Sequence, residues 1–463
     1  MTDRRRRLDG ADQGAEAPAE PAPEREIFMW GAGTAAFQIE GATREDDRGE
    51  SIWDRFASVA GNVVAGDTGD PACDHYHRWR EDVDLMQQLK LQTYRFSVAW
   101  PRIQPEGRGP ANQKGIDFYR RLTEGLLERG ITPLATLYHW DLPQTLQDEG
   151  GWAAREVVDR FEVYAELVYE GLGDLVQDWV THNEPWVTSF LGYGYGTKAP
   201  GIQDWPAALA SAHHVLLSHG KAVTAFRDGN RTGRIGITLD LTQVYGDAEA
   251  ALRLDGNRNR WFLDPVLRGG YPADMVDLYE ARYGPIEFVQ PGDLEQIAVP
   301  IDFLGVNFYQ PAVVRLSEPD GPVGVQELPA DGPTTAMGWR VVPPALTELL
   351  VRLKHDYEHV PLVITENGAS FDDPPIDGNE VVEDPQRVEY LRDHVAAIES
   401  AIDQGVDVRG YYVWSLLDNF EWEHGYSSRF GIVGVDFDTQ RRAPKRSALW
   451  YRDFISEHRN GKD

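Results

Sequence analysis

Eight short apolar segments alternate with longer amphipathic segments along the chain, and this alternation constrains the fold more than any other feature. The segments are FMWGAGTAAF from Phe28, TYRFSVAW from Thr93, ITPLATLYHW from Ile131, VQDWVTHN from Val176, RIGITLDL from Arg234, FLGVNFY from Phe303, PLVITENG from Pro361 and GYYVWSL from Gly410. Between them, residues 117–130, 157–173 and 385–405 carry apolar side chains at helical spacing and end near a glycine. Apolar strands alternating with helices predict a parallel sheet covered by helices, and eight such units fit a (β/α)8 barrel.

Polar residues gather toward the C-terminal ends of these predicted strands. They are Arg95, His139, Asn183, Glu184, Asn307, Tyr309, Glu366 and Trp414. In an open, doubly wound sheet, the alternative architecture, these side chains would be spread along an edge, whereas in a barrel they meet at one mouth. The pattern therefore favours a single α/β domain, a (β/α)8 TIM barrel, with long connections near 40–80, 185–230 and 310–345 as loops at the C-terminal face of the strands.

The ends of the chain and its composition limit the remaining possibilities. Residues 1–25 are rich in Arg, Ala, Pro and Glu and predict a disordered tail, which leaves 26–463 for the barrel. A secretion signal is the alternative, but no apolar segment follows the arginines. The net charge of −30 argues against nucleic acid as a partner, and no stretch approaches the ~18 apolar residues of a membrane span. The single cysteine, Cys73, fits a reducing compartment, and we expect a cytoplasmic protein.

Several familiar motifs are present only in part. Gly31 to Ala36 match a G-x-G-x-x-A dinucleotide fingerprint, but a polar passage follows where that fold needs a helix. The pairs His75/His77 and His213/His214 lack the companions that make a zinc site, and no G-x-S-x-G turn is present. We therefore expect neither a metal nor a cofactor.

Two carboxylates carry the strongest chemical signal. Glu184 follows the fourth predicted strand in THNEPW, and Glu366 ends the seventh in ITENG. In a barrel they face each other across the mouth, beside asparagines and among many Trp and Tyr residues. A facing pair of acids with aromatic surfaces on which sugars stack is the layout of a glycosidase.

These motifs make the resemblance specific. The chain resembles family 1 glycoside hydrolases, the β-glucosidase family, over about residues 27–455. THNEPW is similar to that family's acid/base motif and ITENG to its nucleophile motif. GAGTAAFQIEG, YRFSVAWPRI, LYHWDLPQ, GVNFY, MGW, WSLLDNFEW and RFGIVGVDF resemble its other conserved segments.

The resemblance implies a retaining β-glycosidase with a covalent glycosyl-enzyme intermediate. Glu366 would be the nucleophile and Glu184 the acid/base, with Arg95, Asn307 and Tyr309 supporting the nucleophile. Retention implies carboxyl groups about 5–5.5 Å apart, against about 6.5–9.5 Å for inversion. Glu366 would stay ionised, whereas its charge would help Glu184 keep a proton until the intermediate forms.

The same resemblance implies a substrate site and a substrate class. The site residues are Gln38, His139, Trp140, Asn183, Tyr309, Trp339, Trp414, Glu421, Trp422 and Phe430, with Trp186 and Leu191 at the rim. The expected substrate is a small β-glycoside with a terminal non-reducing β-D-glucosyl group, from a cello-oligosaccharide or an aryl or alkyl glucoside; β-galactosides and β-fucosides remain open. The protein is expected to act as a monomer or a homo-oligomer.

Two other readings remain. A phospho-β-glycosidase of the same family would need a phosphate-binding site of Ser, Lys and Tyr residues in the region of Glu421. A carboxylate at Glu421 would repel the phosphate group. A catalytically inactive sugar-binding barrel would be expected to lose Glu184 or Glu366, and both are present.

Overall fold

Eight parallel strands form a closed barrel. In chain order they are β1 Met29–Gly33, β2 Thr93–Ser97, β3 Thr132–Tyr138, β4 Asp178–Asn183, β5 Arg234–Asp240, β6 Phe303–Asn307, β7 Leu362–Asn367 and β8 Val408–Trp414. Each strand pairs with its neighbours in sequence, and β1 pairs with both β2 and β8, which closes the sheet. Seven strands lie inside segments expected from the sequence, and β8 begins two residues before its segment, which starts at Gly410. The (β/α)8 barrel is confirmed.

The computed structural model describes residues 28–318, 321–357, 360–376, 378 and 381–459. The predicted tail, residues 1–25, lies outside the described residues. Within these ranges, no helix combines the length and the apolar character needed to cross a bilayer.

Helices follow the strands and cover the outside of the barrel. The helices are Ala36–Ile39, Ile52–Ala57, His75–Gln88, Trp100–Ile103, Gln113–Glu128, Gln144–Asp148, Glu156–Leu172, Trp205–Asp228, Ala248–Asp255, Trp261–Arg268, Ala273–Tyr283, Asp293–Ile297, Pro343–Asp356, Pro385–Asp403 and Arg446–Arg459. Short 3-10 segments are Val64–Gly66, Gly151–Ala153 and Trp422–His424, and π-helical segments are Val187–Tyr195 and Gly256–Arg260. The three amphipathic segments named above fall on Gln113–Glu128, Glu156–Leu172 and Pro385–Asp403.

The expected rim loop over 185–230 is mostly helical instead. Trp205–Asp228 is the helix that follows β4, capped by the Asp204 carboxylate, which accepts from the Ala207 N–H at 3.0 Å. Its residues are buried on most sides, so it lacks the narrow apolar stripe that marks a surface helix. The other connections carry short strands: Val244–Gly246, Ala312–Leu316 and Val325–Glu327 form one small sheet, and Val433–Asp436 pairs with Arg441–Pro444.

The barrel interior is filled below the mouth. Leu134, Val180, Phe303 and Tyr412 come from four different strands and form one buried cluster. Side chains from strands so far apart in the sheet meet only inside the barrel, as expected for the layered core of this fold. The polar residues at the C-terminal strand ends therefore lie above a packed apolar core.

Candidate active site

A cavity of about 330 Å³ opens at the C-terminal ends of the strands, and both Glu184 and Glu366 line it. Other expected residues in its wall are His139, Trp140, Trp186, Leu191, Tyr309, Trp339, Trp414, Glu421, Trp422 and Phe430. Gln38, Arg95, Asn183 and Asn307 are completely or almost completely buried behind this wall and hydrogen-bond to the residues that form it or to one another. The residues expected from the sequence are thus brought to one place.

The backbone of Glu184 departs from strand geometry. β4 ends at Asn183, and Glu184 has a φ of 50°, in the left-handed region that costs a non-glycine residue about 1 kcal/mol or more. Its N–H donates to the Thr238 carbonyl of β5 at 2.9 Å, which fixes the turn. Pro185 follows, and the helical segment Val187–Tyr195 begins two residues later. This turn leaves the Glu184 carboxyl at the edge of the cavity.

Glu366 is held by two donors. Arg95 Nη1 donates to Oε1 at 2.6 Å, and the Tyr309 hydroxyl donates to Oε2 at 2.6 Å. Arg95 is only 1% exposed and also donates through Nη2 to Asn183 Oδ1 at 2.7 Å. A buried cation and a hydroxyl on the two oxygens favour the charged form of Glu366 and fix its orientation.

Asn307, which was expected to support Glu366, contacts both carboxyl groups. Its Nδ2 donates to Glu184 Oε1 at 2.5 Å and to Asn183 Oδ1 at 3.1 Å. The same amide also lies close enough to Glu366 to lower the pKa of that carboxyl. Asn307 therefore connects the two carboxylates rather than serving one of them.

The two carboxyls are electrostatically unequal. Burial, followed by the negative charge of Glu366, raises the pKa of Glu184 well above its ordinary value. Burial also raises the pKa of Glu366, but Arg95 and the hydrogen bond from Tyr309 oppose that rise. Because the Arg95 guanidinium hydrogen-bonds to Glu366 and acts on Glu184 only from a distance, a single proton shared by the pair resides on Glu184.

His139 is neutral, and its tautomer follows from its neighbour. Because Asn183 Oδ1 accepts from Arg95, Asn183 Nδ2 is the atom that donates to His139 Nε2, at 3.0 Å. Nδ1 of His139 then carries the hydrogen, and among the described residues it has no partner. Burial lowers the pKa of His139 well below its ordinary value, and the charge of Arg95 adds to this effect. The imidazole therefore offers one N–H for a ligand.

Gln38 and Glu421 form a second polar pair. Gln38 Nε2 donates to Asn419 Oδ1 and Phe420 O, each at 3.0 Å, and to Glu421 Oε2 at 3.3 Å. Within the described part of the chain, Gln38 Oε1 is buried without a partner. Burial raises the pKa of Glu421 to about 8, with Lys198 opposing the rise. Unpaired buried oxygens and acids of this kind are suited to ligand hydroxyls.

Aromatic rings form the remaining walls. Trp414 and Phe430 are buried in a small cluster against which Tyr309, Met337 and Trp339 pack. Trp339 lies 5.2 Å from Tyr309 and 5.7 Å from Phe430, measured between ring centroids. On the other side, Trp140 and Trp422 are 4.5 Å apart, and His139 stacks on Trp422 at 5.9 Å. Flat apolar surfaces beside hydrogen-bonding groups are what a sugar ring requires.

Four charged residues in the wall were not predicted: Lys198, Asp240, Arg258 and Glu423. Asp240 is the last residue of β5, so the rule that selected Glu184 and Glu366 at strand ends would have found it. Lys198 lies in a loop and Arg258 in the π-helical segment Gly256–Arg260, where no strand pattern points to them. His213 and His214, in contrast, lie away from the cavity, where His213 pairs with Asp293 at 2.8 Å.

Comparison with known proteins identifies the family of the chain. A family model for glycosyl hydrolase family 1 matches residues 22–460. Beta-glucosidase A of Acetivibrio thermocellus is 48% identical over 442 residues, which cover 93% of this chain and 98% of that protein. A Bifidobacterium breve protein named bifunctional beta-D-glucosidase/beta-D-fucosidase is 46% identical over 454 residues, with 93% and 98% covered.

The structural match is equally extensive. The solved structure of a beta-glucosidase from Thermotoga maritima in complex with glucoimidazole superposes with a TM-score of 0.89 at 44% identity. It covers 94% of this chain and 98% of its own. Because the family model and these relatives span nearly all of the sequence, the chain belongs to glycosyl hydrolase family 1 and is a glycoside hydrolase.

Proposed function

We propose that this protein is a retaining β-glucosidase that releases terminal non-reducing β-D-glucosyl groups from cello-oligosaccharides and from aryl or alkyl β-glucosides. Glu366 is the nucleophile and Glu184 the general acid/base. Retention is general in glycosyl hydrolase family 1, which supports these two roles. The observation that carries the proposal is the asymmetric pair in one cavity, with Arg95 and Tyr309 on Glu366 and the raised pKa on Glu184.

The reaction takes two displacements. In the first, a Glu366 oxygen attacks the anomeric carbon, the bond to the leaving oxygen breaks, and Glu184 gives its proton to that oxygen. The products are the free alcohol and a glycosyl ester on Glu366. In the second, ionised Glu184 takes a proton from water, whose oxygen attacks the anomeric carbon, and the ester bond breaks to restore the Glu366 carboxylate.

The proton on Glu184 is controlled by the state of Glu366. While Glu366 is charged, its field adds to burial and keeps Glu184 protonated, ready to act as an acid. Ester formation removes that charge, so the pKa of Glu184 falls and the ionised form becomes available as a base. One carboxyl therefore performs opposite tasks in the two steps without a change of position.

The glucosyl group is held by groups that have unused hydrogen-bonding capacity. Asn183 Oδ1 already accepts from Arg95 and Asn307, but Nδ2 keeps one N–H for the 2-hydroxyl. Among the described residues expected to bind the sugar, His139 Nδ1–H and Gln38 Oε1 also lack a hydrogen-bond partner. Gln38 and Glu421 bracket the 4-hydroxyl, and Glu421 also reaches the 6-hydroxyl.

We include β-fucosides and β-galactosides among the substrates. Fucose lacks the 6-hydroxyl, and galactose differs from glucose in the direction of its 4-hydroxyl. Gln38 supplies an amide and Glu421 a carboxyl around these positions, and Gln38 Nε2 donates to Glu421 Oε2 at 3.3 Å, so Glu421 keeps a hydrogen-bond partner with either sugar. The Bifidobacterium breve relative, named for both glucosidase and fucosidase activity, supports this range.

The test is a panel of nitrophenyl β-glycosides with cellobiose and longer cello-oligosaccharides, followed by proton NMR of the first product. We expect β-glucoside hydrolysis and β-glucose as the first anomer formed. Glu366→Ala should abolish turnover, whereas Glu166→Ala, at an exposed helix position, should leave it unchanged. Initial release of the α-anomer, or full activity in Glu366→Ala, would contradict the proposal.

A further inference from the structure

The backbone of Arg429 joins the cavity wall to the chain segment that follows Glu366. Its N–H donates to Ser370 Oγ at 3.0 Å, and its carbonyl oxygen accepts from Arg387 Nη2 at 2.8 Å. Phe430, the next residue, is 1% exposed and lines the cavity. Ser370 lies four residues after Glu366 in the chain. A residue of the wall and the segment that follows the proposed nucleophile are therefore held together through both ends of Arg429.

Arg387 contacts both of these segments at once. It is 1% exposed and belongs to the helix Pro385–Asp403. Its Nε donates to the Ala369 carbonyl at 3.2 Å, and its Nη1 and Nη2 donate to the Asp373 carboxylate at 2.9 and 3.0 Å. A guanidinium presents five N–H donors in a rigid plane, so it fixes these acceptors and the Arg429 carbonyl together. The ammonium group of a lysine does not have this shape.

A second buried cation holds the other side of Phe430. Lys445 is 1% exposed, and its Nζ donates to Asp373 Oδ2 at 2.5 Å and to Asp418 Oδ1 at 2.7 Å. Gly431, directly after Phe430, donates its N–H to the same Asp418 oxygen at 3.0 Å. The backbone is thus fixed on both sides of the residue that forms the wall.

The charged groups behind this wall form one buried network. Each of its five side chains is 4% exposed or less: Arg387, Lys445, Asp373, Asp384 and Asp418. Removing these charges from water costs free energy that offsets much of their mutual attraction, and apolar side chains of similar volume often stabilise a fold as well. Net stability alone therefore does not account for the network. Its hydrogen bonds do fix the relative positions of the segments that it joins.

We propose, on the basis of the β-glucosidase function proposed above, that Ser370 and Arg387 are positioning residues for the first displacement. They hold Arg429 against the segment that follows Glu366 and thereby fix the distance between the Glu366 carboxylate and the Phe430 wall. Neither side chain lines the cavity, so both act through other residues. A misplacement of about 1 Å between a bound sugar and the attacking oxygen lowers the rate about 100-fold.

The test measures the attack by Glu366 separately from folding. The probe is dinitrophenyl 2-deoxy-2-fluoro-β-glucoside: a Glu366 oxygen displaces dinitrophenolate from the anomeric carbon without a proton, and the fluorine slows hydrolysis of the resulting ester. The amount of dinitrophenolate released in the burst counts the folded active sites. The rate constant at saturation reports the attack, and the concentration for half-saturation reports binding.

The variants are Ser370→Ala and Arg387→Lys, with Arg442→Lys as the matched control. Arg442 also makes two hydrogen bonds to one buried carboxylate, Asp82, at 2.8 and 3.0 Å. It also donates to a backbone carbonyl, that of Cys73, at 2.6 Å. Neither Asp82 nor Cys73 lines the cavity. The control therefore disturbs a buried arginine of the same kind whose partners lie outside the wall.

We expect the rate constant per active site to fall about 3- to 10-fold in Ser370→Ala and about 10- to 100-fold in Arg387→Lys. Half-saturation should change less than about 3-fold, because the groups that bind the sugar remain. Arg442→Lys should lower Tm and change the rate constant less than about 2-fold. If Arg387→Lys does not fold, Ser370→Ala still decides the matter, because it removes a single hydroxyl.

Three outcomes overturn the proposal. An unchanged rate constant per active site in either variant removes the positioning role. An equal fall in Arg442→Lys assigns the effect to general loss of structure, and a change confined to half-saturation assigns it to binding. If the wild-type protein gives no burst and hydrolyses no β-glucoside, the proposed function fails and this inference fails with it. A wild-type burst with unaffected variants rejects this inference alone.

Discussion

Asn307 is aligned with Glu366 across the β6–β7 pair, yet its side chain donates to Glu184, at 2.5 Å. The residue thus ties Glu184, the proposed acid/base, to the strand beside the one that carries Glu366, the proposed nucleophile. Because Oε1 of Glu184 accepts the amide hydrogen, the carboxyl proton resides on Oε2. In the proposed mechanism, this hydrogen bond decides which oxygen of Glu184 delivers the proton to the leaving group.

Replacing Glu184 by Gln should separate substrates according to their leaving groups. Gln keeps the Oε1 acceptor for Asn307 but has no acidic proton. We expect kcat/KM for cellobiose to fall about 10²- to 10⁴-fold, the usual contribution of a general acid. The corresponding value for dinitrophenyl β-glucoside should fall far less, because that leaving group departs without protonation. Equal loss with both substrates would contradict the acid role.

The pKa of Glu184 should depend on the charge of Glu366. Glu366→Gln removes the second largest cause of its upward shift while leaving burial in place. We expect the pKa of Glu184 to fall by about one unit or more, measured by carbon-13 NMR of labelled Glu side chains. The wild type and the Glu366→Gln variant are compared over the same pH range. An unchanged value would show that burial alone sets the proton on Glu184.

The barrel could be predicted because the sequence pattern that marks each strand lies within the strand itself. Each strand carries an apolar run of its own, and both Glu184 and Glu366 directly follow or end such a run. The helix Trp205–Asp228 was placed within a loop because it is buried on most sides and so lacks the polar face that marks a surface helix.

The side-chain partners could not be predicted in the same way. Asn307 was expected to support Glu366 because both end neighbouring strands, but strand order does not show that its side chain also donates to Glu184. Arg258 reaches the cavity from a connection after β5, through an ion pair with Asp240 that exists only in three dimensions. Such contacts join residues without a shared spacing in the sequence.

Tyr309→Phe should shift the acidic limb of the pH profile upward. The hydroxyl donates to Glu366 Oε2 at 2.6 Å and so favours the ionised form of Glu366, the proposed nucleophile. Without it, the pKa of Glu366 rises, and a higher pH is needed to ionise the carboxyl. We expect the acidic limb of kcat/KM for nitrophenyl β-glucoside to move up by about one pH unit.

Tyr357→Phe is the matched control for this change. Its hydroxyl also donates to a carboxylate, Asp264, at 2.6 Å, but away from the cavity. The control should lose some stability and keep the wild-type pH profile. A shift of equal size in both variants would show that the Tyr309 effect does not act through Glu366.

Asp141 should make the protein less stable as pH rises. It follows Trp140, is fully buried, and neither of its carboxyl oxygens accepts a hydrogen bond from another described residue. Burial raises its pKa to about 8, with Arg48 opposing the rise. Between its unfolded and folded pKa values the folded state holds a proton that the unfolded state has lost. The free energy of unfolding then falls by up to about 1.4 kcal/mol per pH unit.

Asp141→Asn removes this titration, so it should stabilise the protein more at pH 8 than at pH 5.5, by up to about 3 kcal/mol in urea unfolding. Asp82→Asn should instead reduce the free energy of unfolding. Asp82 is equally buried, but its hydrogen bonds with His75 and Arg442 outweigh burial and lower its pKa. Its ionised form therefore stabilises the fold above the unfolded pKa, and the variant should lose stability at both pH values. A gain from Asp141→Asn that does not grow with pH would mean that Asp141 is ionised in the folded protein.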